Sequence, residues 1–298
     1  MSKITHLAGI IPVADSPKDF RFVWDDVMIP LSQNYYAIEK AVHDCAMAGC
    51  DTIWIVCNLE TKPIIRKRIG DYTLDPVTVG SNSLAFAPDK YRRYIPVYYV
   101  PIPEKFYYKS NCLPWSIIQG AMTCYNISSA VSKWTQPDYY YVSFPFGIYP
   151  TKELRPIRRE LVKSKNVYFA YEGKTIKDNL LLPFTFDGND FKFFWNKFKE
   201  IELSFGSQDD DKTKRERFTK EVGLDRLLDQ REVEDPKIID FSWFYEIDNW
   251  DKYCLYLGSE ERKTIRFPGR IFIHYHEWNP TAEDLTDAES EEDDDGNG

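Results

Sequence analysis

The stretch LAGIIPVADSPKDFRFVWDDVMIPLSQNYYAIEKAVHDCAMAGCDTIWIVC, Leu7 to Cys57, decides the fold. Leu7 to Val13 is apolar and reads as a buried strand. A polar loop follows, then a second apolar stretch from Val27 to Leu31. Ile38, Ala41, Val42, Cys45 and Gly49 recur on one helical face, with Asn34 as candidate N-cap and Gly49 as the stop. Thr52 to Cys57, TIWIVC, is a short continuous apolar run, as expected of a strand covered on both faces. Strand, helix, strand in about fifty residues is a βαβ unit, which predicts parallel strands joined by a right-handed crossover.

The alternation continues outward from this unit. KPIIRKRI reads as a short basic helix ending at Gly70, and YIPVYYV (Tyr94 to Val100) as a strand. LPWSIIQGAMTCYNISSAVSKW reads as a long helix, with Pro114 suited to its first turn. DYYYVSF is a strand, KELRPIRRELVKS a helix, NVYFAY and LLLPFTF strands, and FKFFWNKFKEI an amphipathic helix. A charged loop from Gly206 to Arg217, a further helix, a strand at Ile238 to Phe241 and a final helix near Asn249 complete the regular part. The expected organisation is one α/β domain over residues 1–281 and a disordered acidic tail over 282–298.

The charge supports that division. The chain carries 47 acids and 38 bases over 298 residues, but nine acids and no base lie between Glu283 and Asp295. Without them the acids and bases balance. The run repels itself and has little apolar surface to bury, which predicts disorder and leaves room for a protein partner. A neutral body with an acidic tail argues against nucleic-acid binding. No apolar run reaches the ~18 residues of a membrane span. The start of the chain lacks the basic-then-apolar pattern of a signal peptide. Six scattered cysteines without a CxxC read as buried thiols in a reducing compartment, so the expected location is cytoplasmic.

The order of pieces from about Leu7 to Gly258 resembles the sugar-phosphate nucleotidyltransferases. The residues that carry the likeness come in three groups. Pro30, Ile38, Glu39, Ala41, Val42, Ala48, Gly49, Ile53, Ile55 and Val56 match the family's first helix and second strand. Gln119, Gly120 and Ala121 stand where a helix start faces the nucleotide base. Trp243, Glu246, Ile247, Asp248 and Asp251 stand in the family's closing acidic motif. The resemblance implies a mostly parallel Rossmann-like sheet flanked by helices, close to the type-A glycosyltransferase (GT-A-like) architecture. It implies transfer of a nucleotide from a nucleoside triphosphate to a sugar phosphate, giving nucleotide sugar and pyrophosphate, with Mg²⁺ as possible cofactor.

On that resemblance Lys18 and Arg21 are the candidate catalytic cations. Ala14, Asp15, Ser16, Gln119 and Gly120 are the candidate nucleotide contacts. Glu246 and Asp248 are the candidate metal ligands, since alternate residues of a strand share a face.

The chain departs from the family where chemistry should be. The opening loop has no glycine between Gly9 and Gly49, although phosphate-wrapping loops need close backbone approach. Asp25 and Asp26 replace a family lysine and would repel an anion. VSFPFG (Val142 to Gly147) has no acid where a metal-binding aspartate belongs. The competing expectation is therefore a catalytically inactive relative used for binding or assembly. Other constellations read as structural: His43 with Cys45, Ser143 without a GxSxG context, Asp209 to Asp211, and His274 with His276. The clusters Arg66-Lys67-Arg68, Arg92-Arg93 and Arg158-Arg159 read as solvated faces.

Overall fold

The alternation of β1 (Leu7–Pro12) sends its side chains into two separate cores. Leu7 and Ile11 join one, Ala8 and Ile10 the other, and all four are fully buried. This is a computed structural model that describes residues 5–14, 20, 22, 25–79, 93–103, 106, 112–131, 136–163, 166–203, 224, 228 and 236–272. Lys18, Arg21, Asp15, Ser16, His274, His276, the 206–217 segment and the acidic tail lie outside the described residues.

A short ribbon, β2 (Pro30–Ser32) with β3 (Tyr35–Tyr36), leads into α1 (Ala37–Ala48) and β4 (Thr52–Asn58). β4 runs parallel to β1, with Ala8 opposite Thr52 and Pro12 opposite Val56, as the βαβ reading requires. Then come α2 (Lys62–Ile69), β5 (Tyr72–Leu74), α3 (Pro76–Val79), β6 (Tyr94–Ile102) and α4 (Leu113–Val131). β7 (Tyr139–Val142), β8 (Gly147–Ile148), α5 (Leu154–Leu161), β9 (Val167–Ala170), β10 (Phe184–Asp187) and α6 (Gly188–Leu203) follow. β11 (Lys237–Asp240), β12 (Tyr245–Glu246) and α7 (Trp250–Gly258) close the described part.

The sheet has eight strands in the order β11-β9-β10-β7-β1-β4-β6-β5. β10 and β5 pair antiparallel to their neighbours and the other pairings are parallel. α1 and α5 contribute to the core on one face, and α4 and α6 to the core on the other. The expected mostly parallel, helix-flanked sheet is what the chain forms.

Close packing explains two glycines. A Cβ on Gly9 would meet Cys45 Sγ at 2.9 Å, so the bare backbone lets α1 lie against β1. Gly49 ends α1 with φ +98°, a left-handed conformation that side chains resist.

Two expectations are corrected. Asn34 does not cap α1. It takes φ +55° in the turn of the β2–β3 ribbon, and the helix starts after Tyr36, whose N–H donates to Glu39 Oε2 at 2.9 Å. The arginine clusters are not all solvated faces. Arg68 binds the buried Glu39 at 2.7 Å, and Arg158 reaches both the buried Asp75 at 2.8 Å and the Ala46 carbonyl at 3.2 Å. Arg93 pairs with Asp51 and Asp75. For Glu39 and Asp75 these arginines compensate charge that burial would otherwise leave unpaired. All six cysteines are free, and all but Cys254 are buried, as expected of unpaired thiols.

Candidate functional site

In an open parallel sheet, ligands enter at the carboxyl ends of the strands, where the connections diverge to opposite faces. Here that point lies between β1 and β7, since β1 pairs with β4 on one side and β7 on the other. β1 continues into Val13 and Ala14, and β7 into Ser143 and Phe144.

On the first side of this edge the continuation of β1 is tied to β4. The backbone N–H groups of Val13 and Ala14 both donate to the Val56 carbonyl, at 2.8 and 3.0 Å. The Ala14 N–H is therefore committed within the protein, and its side chain is buried. Asp25 has a local role: its side chain accepts from Val27 N–H at 3.1 Å and starts a short 3-10 turn, in which Asp26 is buried.

The second side is filled by VSFPFG. Val142 to Gly147 are all buried. Ser143 N–H donates to the Ile10 carbonyl, and its hydroxyl lies 3.4 Å from the Tyr149 hydroxyl. A Cβ on Gly147 would sit 2.0 Å from the Leu181 carbonyl oxygen, so no side chain fits there. Apolar packing occupies the segment from which the resemblance leads one to expect an aspartate.

Gly120 lies on α4 against the sheet. A Cβ there would meet Val56 Cγ2 at 2.7 Å and Ile10 Cγ2 at 3.0 Å. Its glycine is thus explained by helix–sheet packing. Gln119, one residue earlier, is partly exposed.

A segment far along the chain reaches VSFPFG, and the helix after it meets Phe20 and Phe22. β12 pairs antiparallel with β8, setting Glu246 opposite Gly147, and Ile247 N–H donates to the Phe146 carbonyl at 2.9 Å. α7 receives the opening loop. Phe20 packs edge-on against Trp250 with ring centroids 5.4 Å apart, Phe22 does the same at 5.5 Å, and the Trp250 indole donates to the Phe20 carbonyl. Tyr253 and Tyr256 fasten α7 by donating to the carbonyls of Pro30 and Leu31, at 2.6 and 3.1 Å.

Glu246 and Asp248 come together around a side chain that the sequence reading missed. Lys252 Nζ donates to Glu246 Oε2 at 2.9 Å and to Asp248 Oδ2 at 2.7 Å. The other oxygen of each carboxylate is held as well. Leu181 N–H donates to Glu246 Oε1 at 3.3 Å, and Asn249 Nδ2 to Asp248 Oδ1 at 2.8 Å. Asn249 also caps α7, accepting from Lys252 N–H at 3.0 Å. Burial pulls the Lys252 ammonium down, but its hydrogen bonds to Asp248 and Glu246 outweigh this and leave it raised. The spacing of Asp248 and Lys252, acid four residues before base, was the available signal.

A divalent ion would need the space that the Lys252 ammonium fills, so these two carboxylates as arranged do not form a ready metal site. Among the described residues no group of three or more His, Cys, Asp or Glu side chains could hold a metal. Beside the pair runs a groove of 290 Å³ lined by Tyr171, Glu172, Lys174, Phe244, Glu246 and Lys252 together with Leu180, Tyr245 and Leu255. Its lining mixes aromatic rings with both signs of charge. No helix among the described residues is long and apolar enough to cross a membrane.

No family profile matches the chain, and no curated protein sequence does either. Solved structures do match. A provisionally named glucose-1-phosphate thymidylyltransferase from Bacillus anthracis, solved with sucrose, covers 89% of this chain and 97% of its own at 11% identity and TM-score 0.52. A UDP-glucose pyrophosphorylase complexed with UDP-glucose covers 87% and 100% at 11% identity and TM-score 0.49. The 4-diphosphocytidyl-2C-methyl-D-erythritol synthase of Anaerococcus prevotii covers 85% and 94% at 13% identity and TM-score 0.46. With eight strands in a mostly parallel sheet and a likeness spanning nearly the whole of the first of these proteins, the chain has the Rossmann-like fold of the sugar-phosphate nucleotidyltransferases.

Proposed function

We propose that the chain is a divergent nucleotidyltransferase that joins a nucleoside triphosphate to a sugar phosphate. The carrying observation is that β12 reaches the segment after β7, while α7, directly after β12, meets Phe20 and Phe22 of the segment after β1. Phe20 lies on Trp250, 230 positions away, and Glu246 stands opposite Gly147, so the segments that follow β1 and β7 meet neighbouring parts of α7 and β12 on the side where such a sheet admits ligands.

In this reading the nucleotide lies along the edge past Ala14, with Asp15, Ser16 and Gln119 near it. Gly120 contributes by letting α4 sit close to the sheet. Lys18 and Arg21 meet the triphosphate. The sugar phosphate occupies the groove beside Glu246 and Lys252, whose aromatic rings and carboxylates suit a polyhydroxylated ring. A phosphate oxygen of the sugar phosphate attacks the α-phosphorus. The new O–P bond forms as the bond to the β-phosphate breaks, and pyrophosphate leaves. The protein's work is to align the two anions and offset their charge with Lys18 and Arg21.

Pyrophosphate release tests this, with each common nucleoside triphosphate, pooled sugar phosphates, and Mg²⁺ present or absent. Release that requires both substrates supports the reading. A second reading, a non-catalytic scaffold of the same fold, draws on the buried acid-free VSFPFG segment. It expects binding or assembly without pyrophosphate release under any combination.

A further inference from the structure

We propose that Lys252 is the resident cation of the Glu246–Asp248 pair and keeps divalent ions out of it. This goes beyond the transfer reaction and stands without it, because it concerns what the two carboxylates bind.

Four observations carry the inference. First, Nζ donates to one oxygen of each carboxylate, at 2.9 and 2.7 Å. Magnesium sits about 2.0–2.1 Å from its oxygen ligands, so it could not share the cleft with the ammonium. Second, the remaining oxygens are turned away and satisfied by Leu181 N–H and Asn249 Nδ2. Both carboxylates are thus oriented around the nitrogen. Third, Lys252 sits in the first turn of α7, where the helix dipole disfavours a cation. The local field does not explain a lysine there, whereas two carboxylates immediately before the helix do. Fourth, Asn249 ties the backbone and the side chains into one unit, capping Lys252 N–H with Oδ1 and orienting Asp248 with Nδ2.

The arrangement makes the cation a covalent part of the chain. In this arrangement it neutralises one of two adjacent negative charges and needs no metal supply. Removing it leaves two carboxylates aimed at an empty position between them, the arrangement that attracts a hard divalent ion.

Manganese binding to the full-length chain, read by electron paramagnetic resonance, tests this with Mn²⁺ as the probe. Wild-type protein is expected to show no Mn²⁺ site that depends on Glu246 or Asp248, so E246Q and D248N leave its titration unchanged. K252M, and K252Q as a second variant, are expected to gain a site at least tenfold tighter than any in the wild type. Adding E246Q to K252M abolishes the gain. Circular dichroism verifies that each variant is folded. Wild-type binding that E246Q or D248N weakens would overturn the proposal, and so would the absence of a gained site in both folded Lys252 variants.

Discussion

Replacing Lys40 with methionine tests how the interior of this fold handles charge. Lys40 and Asp44 lie one turn apart on α1, and their side chains are 1% and 0% exposed. Lys40 Nζ donates to Asp44 Oδ2 at 2.6 Å and lies 3.7 Å from the centre of the Tyr149 ring. Thr151 donates its hydroxyl to Asp44 Oδ1 at 2.6 Å. Burial pushes the Lys40 ammonium down and the Asp44 carboxyl up, each opposed by the attraction between them. Removing one partner of such a pair costs about 3–5 kcal/mol, because the other charge stays buried and uncompensated. At ~2–4 °C per kcal/mol for a domain of this size, Lys40→Met should lower the melting temperature by roughly 10 °C. The double variant K40M/D44N removes both charges and keeps an acceptor for Thr151. It should recover to within about 1 kcal/mol of wild type, because a neutral pair of similar volume carries no ionic desolvation penalty. Urea denaturation of wild type, both singles and the double completes the cycle. A K40M cost under about 1 kcal/mol, or a double variant no better than K40M, would refute the reasoning.

Three further outcomes are expected. Gly120→Ala places a methyl 2.7 Å from Val56 Cγ2 and should cost about 1–3 kcal/mol by overpacking; stability unchanged in denaturant titration would contradict the packing role. Burial pushes the Glu39 carboxyl up to about 7 despite Arg68 beside it, so its contribution is whole below about 4.5 and falls away as pH rises through 7. Burial and the Lys40 charge lower His43 to about 3, so stability falls as pH drops below 6.5; Glu39→Gln should unmask that slope between pH 4.5 and 6.5, where identical profiles for wild type and E39Q would refute the Glu39 assignment and a flat E39Q profile the His43 one. Truncation after Ala282 should move the melting temperature by under about 2 °C, since a run of nine acids has little apolar surface to bury; a large drop would show that it packs on the body.

The parallel βαβ core was legible because its signals are local. Helical spacing from Ile38 to Gly49 and the continuous run TIWIVC each depend on neighbours in sequence. What escaped depends on partners far away. Arg68 meets Glu39 across 29 positions and Arg158 meets Asp75 across 83, so both clusters resemble solvated faces until the chain folds. Asn34 has the chemistry of a cap, yet the ribbon turn needs its left-handed conformation more. Gly120 allowed either packing or a ligand, and only the presence of Val56 and Ile10 opposite it gives it a packing role. Lys252 was within reach of sequence reasoning, since Asp248 stands four residues before it.

The most direct test of the central claim is titration calorimetry of the full-length chain with each common nucleoside triphosphate, with and without Mg²⁺. The account predicts saturable binding of at least one triphosphate. A charged hydrogen bond contributes about 1.5–3 kcal/mol, so Lys18→Ala or Arg21→Ala should weaken that binding roughly tenfold or more. No heat for any triphosphate at millimolar concentration, or tight binding untouched by both substitutions, would contradict it.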